Sequence, residues 1–137
     1  IKNLKPNINL CGLENSTYAK KKTLKEVSLN TKVGDYLNLE FPDNYFDFVL
    51  AIGVVYAFNL KDAIKSISEI QRVTKKNSFL TLASYENEND YFLFKKWTLL
   101  GSTILKKNEW KEILDHCKFT GDYFFTNAST LNLREKK

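Results

Sequence analysis

Between Phe46 and Phe58 the chain reads FDFVLAIGVVYAF, an apolar run in which Asp47 is the single charge. A Pro-Asp-Asn turn at Pro42–Asn44 leads into it. Such a run predicts a strand over Phe46–Ile52 that is buried on both faces. Strands of that kind belong to parallel sheets flanked by helices, and ligands in those folds sit beyond the carboxyl ends of the strands. The stretch therefore predicts both an architecture and the edge where a ligand lies, without naming the ligand.

The 137 residues form one domain at most, with a single hydrophobic core. A hydrophobic content of 43% with 14% aromatics excludes wholesale disorder. The net charge of +5 comes largely from Lys20–Lys22, Lys75-Lys76, Lys106-Lys107 and the tail from Arg134 to Lys137. These runs are short, separated and without interleaved aromatics. They read as solvated helix ends and tails rather than a nucleic-acid surface. Cys11 and Cys117 are distant in sequence, and there is one histidine, so core thiols are expected and neither a disulfide nor a metal site. With no signal-peptide pattern and no apolar run approaching the ~18 residues of a membrane helix, the chain reads as soluble and cytoplasmic, without a membrane partner. It begins at Ile1 and contains no methionine, which reads as a piece of a longer protein.

Ile8–Leu13 and Ser28–Val33 are short apolar or alternating segments and predict the first two strands, the second ending at Gly34-Asp35. Ser16 is placed to cap a helix between them. Asn59, with Asp62 three residues on, opens an amphipathic helix whose apolar positions are Leu60, Ala63, Ile64, Ile67, Ile70 and Val73, with Lys75 and Lys76 at its C-terminus. Ser78–Ser84 predicts another strand. Asp90–Leu100 predicts an aromatic-rich helix, and Asn108 caps a helix with Trp110, Ile113, Leu114 and Cys117 on one stripe. Gly121–Thr126 predicts a strand, returned by Ser129–Leu133 as a terminal hairpin. Alternation of strand and helix up to Ser84 argues for an α/β sheet with right-handed crossovers. The helical block and hairpin that follow predict an antiparallel C-terminal edge.

Glu14, Asp35 and Ala51-Ile52-Gly53 all stand at predicted strand ends. On one sheet edge, two carboxylates and an open backbone could face one ligand. A carboxylate after such a strand accepts both hydroxyl protons of a ribose, and one in the next loop accepts from an exocyclic amine. The alternative is structural: Glu14 caps the Ser16 helix and Asp35 simply makes a turn.

The order of GLENSTYA (Gly12–Ala19), GD (Gly34-Asp35), FPDNYFDFVLAIGVVY (Phe41–Tyr56), SEIQRVTKKNSFL (Ser68–Leu80) and TGDYFF (Thr120–Phe125) resembles class I S-adenosylmethionine-dependent methyltransferases. The resemblance covers Ile8 to about Phe125. It implies an α/β, Rossmann-like, mostly parallel sheet flanked by helices, with an antiparallel C-terminal edge strand. It implies S-adenosylmethionine as cofactor, with Glu14 on the ribose hydroxyls and Asn15 in the same loop. Asp35 would accept from the adenine amino group and Tyr36 would pack on the ring. Ala51 and Gly53 would offer backbone to the methionine part, and Tyr56 would face donor or acceptor. Lys75-Lys76-Asn77-Ser78 stands where the family has Lys-Pro-Gly-Gly.

A first strand and glycine-rich loop precede GLENSTYA in such enzymes, whereas only residues 1–7 precede Ile8 here, without glycine. In the family's strand order, 3-2-1-4-5-7-6, that strand lies between Ile8–Leu13 and Phe46–Ile52. The domain, 1–137, is thus expected to be incomplete at its N-terminus. The implied function is methyl transfer to a small-molecule acceptor. Against it stand a non-catalytic binding or scaffold domain of the same fold and an RNA methyltransferase. Homo-oligomerisation stays open. Sulfonium chemistry needs alignment more than acid–base help, and no catalytic residue is assigned. Tyr56 and Tyr85 are placed to act as a base or simply to pack. Trp97 either covers the acceptor or packs on the sheet, and Glu86 and Glu88 either meet a polar acceptor or are solvated.

Overall fold

The structure, a computed structural model, describes residues 7–134, which fall into two compact units divided between Glu40 and Phe41. In the first unit, β1 (Gly12–Glu14) is followed by α1 (Thr17–Lys22), α2 (Lys25–Ser28) and β2 (Thr31–Val33). Ser16 caps α1 as expected, its Oγ accepting from the Ala19 N–H at 3.3 Å. The two strands pair in parallel, Gly12 opposite Thr31 and Glu14 opposite Val33. Both are shorter than the sequence predicts. Lys25–Ser28 forms a helical turn, and the Thr31 hydroxyl donates back to the Val27 carbonyl at 3.0 Å, so the chain straightens only at Thr31. A ladder needs a partner on each rung, and β2 offers three.

The second unit runs β3 (Phe46–Ala51), α3 (Leu60–Val73), β4 (Thr74–Ala83), α4 (Glu88–Trp97), α5 (Lys107–His116) and β5 (Asp122–Thr126), with a 3-10 turn at Val55–Ala57. Its sheet order is β3-β4-β5, and both pairings are parallel. Asn59 caps α3 reciprocally: its Oδ1 accepts from Asp62 N–H at 3.0 Å and its Nδ2 donates to the Asp62 carboxylate at 2.8 Å. The apolar stripe of α3 then buries Ala63, Ile67, Ile70 and Val73. Trp110 and Leu114 of α5 join Ala63, Ile67 and Ile70 against Ala51, Leu80 and Leu82, giving one core on one face of the sheet. A smaller cluster joins Ala83 to Phe94 and Ile104.

Three expectations are corrected. The central strand is not buried on both faces: Phe48 and Leu50 are 54% and 46% exposed. In a parallel ladder alternate residues point to opposite faces, and α3 and α5 both pack on the face of Val49 and Ala51. The lysines at Lys75 and Lys76 do not close α3 but lie in β4. The Thr74 hydroxyl donates to the Ile70 carbonyl at 2.6 Å and ends the helix there, and Lys76 pairs across the ladder with Asp47 at 2.9 Å. Finally, the C-terminal edge strand is parallel, not antiparallel. The passage through α5 returns the chain to the end of the sheet where β4 begins, so β5 runs the same way. Residues Ser129–Leu133 form a turn rather than a returning strand, with Leu131 N–H donating to the Asn127 carbonyl at 3.2 Å and Leu133 N–H to Ala128 at 2.8 Å.

Arg72 at the end of α3 fixes the Pro-Asp-Asn turn ahead of β3. Its guanidinium donates to Glu69, to the Phe41 carbonyl and to Asp43, each at 2.8 Å. Hydrogen bonds to Glu69, then Asp43, hold it protonated beyond its ordinary range. No helix among the described residues is long and apolar enough to cross a membrane.

Gly121 is required by packing. A β-carbon there would lie 2.6 Å from both the Ser78 carbonyl oxygen and the Phe119 ring tip, and closer still to Ser78 Oγ. Gly121→Ala is therefore expected to lower the unfolding free energy by about 1–3 kcal/mol through overpacking, measured by urea denaturation.

Candidate functional site

In the first unit, β1 and β2 end side by side, and the loops beyond them hold Glu14, Asn15, Asp35 and Tyr36. The Gly34 N–H donates to the Glu14 carbonyl at 2.9 Å. A β-carbon at Gly34 would come within 2.8 Å of Leu13 Cδ1, so glycine permits this close approach. Asp35 then makes a turn in which its Oδ1 accepts from the Leu37 N–H at 2.8 Å. That use leaves Oδ2 of this exposed carboxylate without a partner among the described residues. The turn reading of Asp35 and a ligand-binding role are thus compatible, because they use different oxygens.

Tyr36 ties the two loops together, its hydroxyl donating to the Leu13 carbonyl at 3.3 Å. Burial, followed by the Glu14 carboxylate charge, raises the phenol above its ordinary value of 10.0, against a lowering by the Asn15 backbone N–H. Glu14 is half-buried beside that hydroxyl and Asn15 is exposed. Sequence reasoning names these four residues and the structure groups them. The Glu14–Tyr36 contact is new, and it depends on the strand pairing.

In the second unit, Ala51, Gly53 and Tyr56 gather at the carboxyl end of β3. Ala51 is buried at the last rung, opposite Leu80. Gly53 has φ +72°, the left-handed region, and its N–H donates to Thr81 Oγ1 at 2.8 Å. A β-carbon at Gly53 would face the Tyr56 hydroxyl at 3.6 Å, so the missing side chain leaves open backbone beside Tyr56. Tyr56 itself is half-buried. Its ring meets Phe94 edge-on at 6.0 Å, and its carbonyl accepts from Ser102 and Thr103 N–H groups at 2.9 and 3.0 Å. Burial raises its phenol above 10.0, so the hydroxyl is a neutral donor at physiological pH.

Thr81 escaped the sequence reading. Only the register, with Ala51 opposite Leu80, puts its hydroxyl next to the Gly53 amide. Of the other residues weighed, Trp97 is 50% exposed and does not pack on the sheet core. Tyr85 stacks edge-on with Tyr91 at 5.2 Å, and Glu86 is paired with Lys107. Among the described residues no group of histidine, cysteine, aspartate or glutamate is arranged to hold a metal ion.

Comparison with known proteins adds the following. The methyltransferase domain family matches residues 3–82. A search of curated proteins returned no match. Among solved structures, a SAM-dependent methyltransferase from Thermotoga maritima is similar with a TM-score of 0.60 and 19% identity, over 80% of this chain and 54% of that one. The YcgJ protein of Bacillus subtilis gives a TM-score of 0.59 and 20% identity over 78% and 50%. A chain from the complex of the Haloferax volcanii Trm112 methyltransferase activator with a candidate methyltransferase gives 0.59 and 22% over 77% and 48%. This chain spans about half the length of those structures, and at such identities the likeness is one of fold.

The raised Tyr36 phenol has a consequence for pH. The unfolded chain loses that proton near 10.0, the folded one higher, so Tyr36 contributes stability that is intact below 10.0 and lost as pH rises through the folded value. Denaturant unfolding on either side of that pH should show wild-type stability falling above it, and Tyr36→Phe should show a shallower fall.

Proposed function

The chain belongs to the methyltransferase domain family, and on that premise we propose that it serves S-adenosylmethionine-dependent methyl transfer to a small-molecule acceptor. The observation that carries this is the span of the family match. Residues 3–82 take in every position named for the cofactor, from Glu14 to Tyr56, and cross the boundary between the two units. On this reading both units belong to one methyltransferase-like domain.

S-adenosylmethionine supplies a methyl group made electrophilic by its sulfonium. The residues of this chain bind and orient. Glu14, half-buried beside Tyr36, takes the ribose hydroxyls, with Asn15 next to it. Asp35 presents Oδ2, the oxygen its own turn does not use, to the adenine amino group, with Tyr36 beside it. The fit is chemical: a carboxylate is an acceptor only, and an exocyclic amine has two protons to give. In the second unit the open backbone from Ala51 to Gly53 receives the methionine part, its shape held by the Thr81 hydroxyl under Gly53. Tyr56, neutral and anchored by Phe94, lends a hydroxyl at the same strand end. No general base is assigned, since a correctly placed acceptor needs alignment first.

Isothermal titration with S-adenosylmethionine tests the reading. The substitution of choice is Asp35→Asn, which keeps an oxygen for the Leu37 N–H and turns the ligand-facing acceptor into a donor. Binding should weaken by roughly tenfold to a hundredfold, the worth of one charged hydrogen bond. No binding by the parent chain, or binding indifferent to Asp35→Asn, would sink the cofactor assignment.

A further inference from the structure

Beyond the carboxyl ends of β4 and β5 lies a cavity of about 510 Å³ that none of the cofactor residues line. It opens between the first turn of α4 and the loop that leaves β5, where the Ser84 N–H donates to the Thr126 carbonyl at 2.8 Å and brings the two strand ends together. Its size lies within the range of small-molecule sites. Its wall is mixed, with polar groups interleaved with apolar surface from Leu93, Ala128 and Leu133.

Two groups in it are held in place by the backbone. Asp90 accepts from the Glu86 N–H on Oδ2 and from the Ala128 N–H on Oδ1, both at 3.0 Å, so one carboxylate joins α4 to the loop after β5. Each oxygen retains a further lone pair. Asn127 is 95% buried, with a relative exposure of 5%. Its Oδ1 accepts from the Thr130 N–H at 2.8 Å, while its backbone N–H donates to Thr130 Oγ1 at 2.8 Å. The first of these bonds fixes which end of the amide is oxygen. The Nδ2 end finds no acceptor among the described residues and, unlike the Ser78 and Ser84 hydroxyls, is not sealed from solvent, so it is open to whatever enters the cavity that Asn127 lines.

An amide N–H held in place but not used within the protein can donate to a ligand without breaking an existing bond. The Asn127 amide stands in a cavity that also holds a fixed carboxylate. At the rim, Glu86 and Lys107 are ion-paired to each other, which leaves Asp90 as the one charged lining residue without an ion pair among the described residues. Asn127 and Asp90 thus offer a donor and an anionic acceptor in one small hollow of mixed polarity. We propose that this cavity binds a small molecule carrying an N–H group beside a carbonyl or hydroxyl oxygen, the oxygen accepting from Asn127 Nδ2 and the nitrogen donating to Asp90. If the methyltransferase reading holds, on which this last step rests, that molecule is the methyl acceptor, and the acceptor class is a small amine or amide. Phosphates and other anions are disfavoured, because Asp90 repels them.

Titration of the 15N-labelled chain with glycinamide, followed by 1H–15N spectra, tests the site. Glycinamide carries both groups, and a probe of its size is expected to bind in the millimolar range. Saturable shifts are expected at the Asn127 side-chain amide and the Ala128 backbone N–H. Acetate, which lacks the N–H, should leave both in place. Asn127→Asp keeps an oxygen for the Thr130 N–H and removes the donor, so glycinamide affinity should fall at least about tenfold. Glycinamide shifts that fail to saturate by about 50 mM, that map elsewhere, or that acetate reproduces would overturn the proposal. The wild-type shifts decide this even if Asn127→Asp does not fold. Titration with S-adenosylmethionine separates the two readings. If the cofactor binds and glycinamide does not, the cavity assignment fails alone; if glycinamide binds and the cofactor does not, the cavity stands and the methyl-acceptor role is lost.

Discussion

The strand β4 supports the larger unit because both of its edges are paired. It pairs with β3 between Thr74 and Leu80 and with β5 from Phe79 to Ala83, and Leu80, Leu82 and Ala83 are fully buried. Two further contacts converge on its last residue. The Ala83 carbonyl accepts from Trp110 Nε1 at 2.6 Å and from the Leu105 N–H at 3.2 Å, so one backbone oxygen anchors α5 and the segment leading into it. A buried carbonyl has two lone pairs, and here both are filled. Where β4 ends, and in what direction its neighbours leave it, follows from this arrangement.

The candidate site residues collect at strand ends for a related reason. Inside a parallel ladder the N–H and carbonyl groups that face a neighbouring strand are committed to it, whereas at the carboxyl end the chain must turn and its polar groups become available. Gly53, Thr81 and Tyr56 illustrate this beyond β3, as Glu14, Asp35 and Tyr36 do beyond β1 and β2. In each place a side chain is held by backbone bonds with one oxygen, one proton or one stretch of backbone to spare. Asn127 and Asp90 repeat the pattern beyond β4 and β5.

Much of this was legible from residue pattern alone. The caps at Ser16 and Asn59 and the stripe of α3 appear where the periodicity puts them, because capping and amphipathicity are local properties. Glu14, Asp35 and Gly53 could be chosen because a strand end followed by a polar or glycine residue is a one-dimensional signal, whereas Tyr56 is marked only by the family resemblance. Trp110 and Leu114 declared themselves by spacing. The misreadings share another origin. Lys75 and Lys76 look like a helix terminus until the ladder claims them for β4, and Ser129–Leu133 looks like a strand until no edge receives it.

The sequence by itself determined the alternating α/β character, the positions of most elements and the residue types placed at the strand ends, since each depends on neighbours within a few positions. Tertiary structure alone decided that β5 runs parallel to β4, that Phe48 and Leu50 remain half exposed, and that Thr81 supports Gly53. It also decided that Asn127 and Asp90, 37 residues apart in sequence, share one cavity. These outcomes rest on register and on which face a helix covers. Both are set by contacts between segments remote in sequence, which no local pattern encodes.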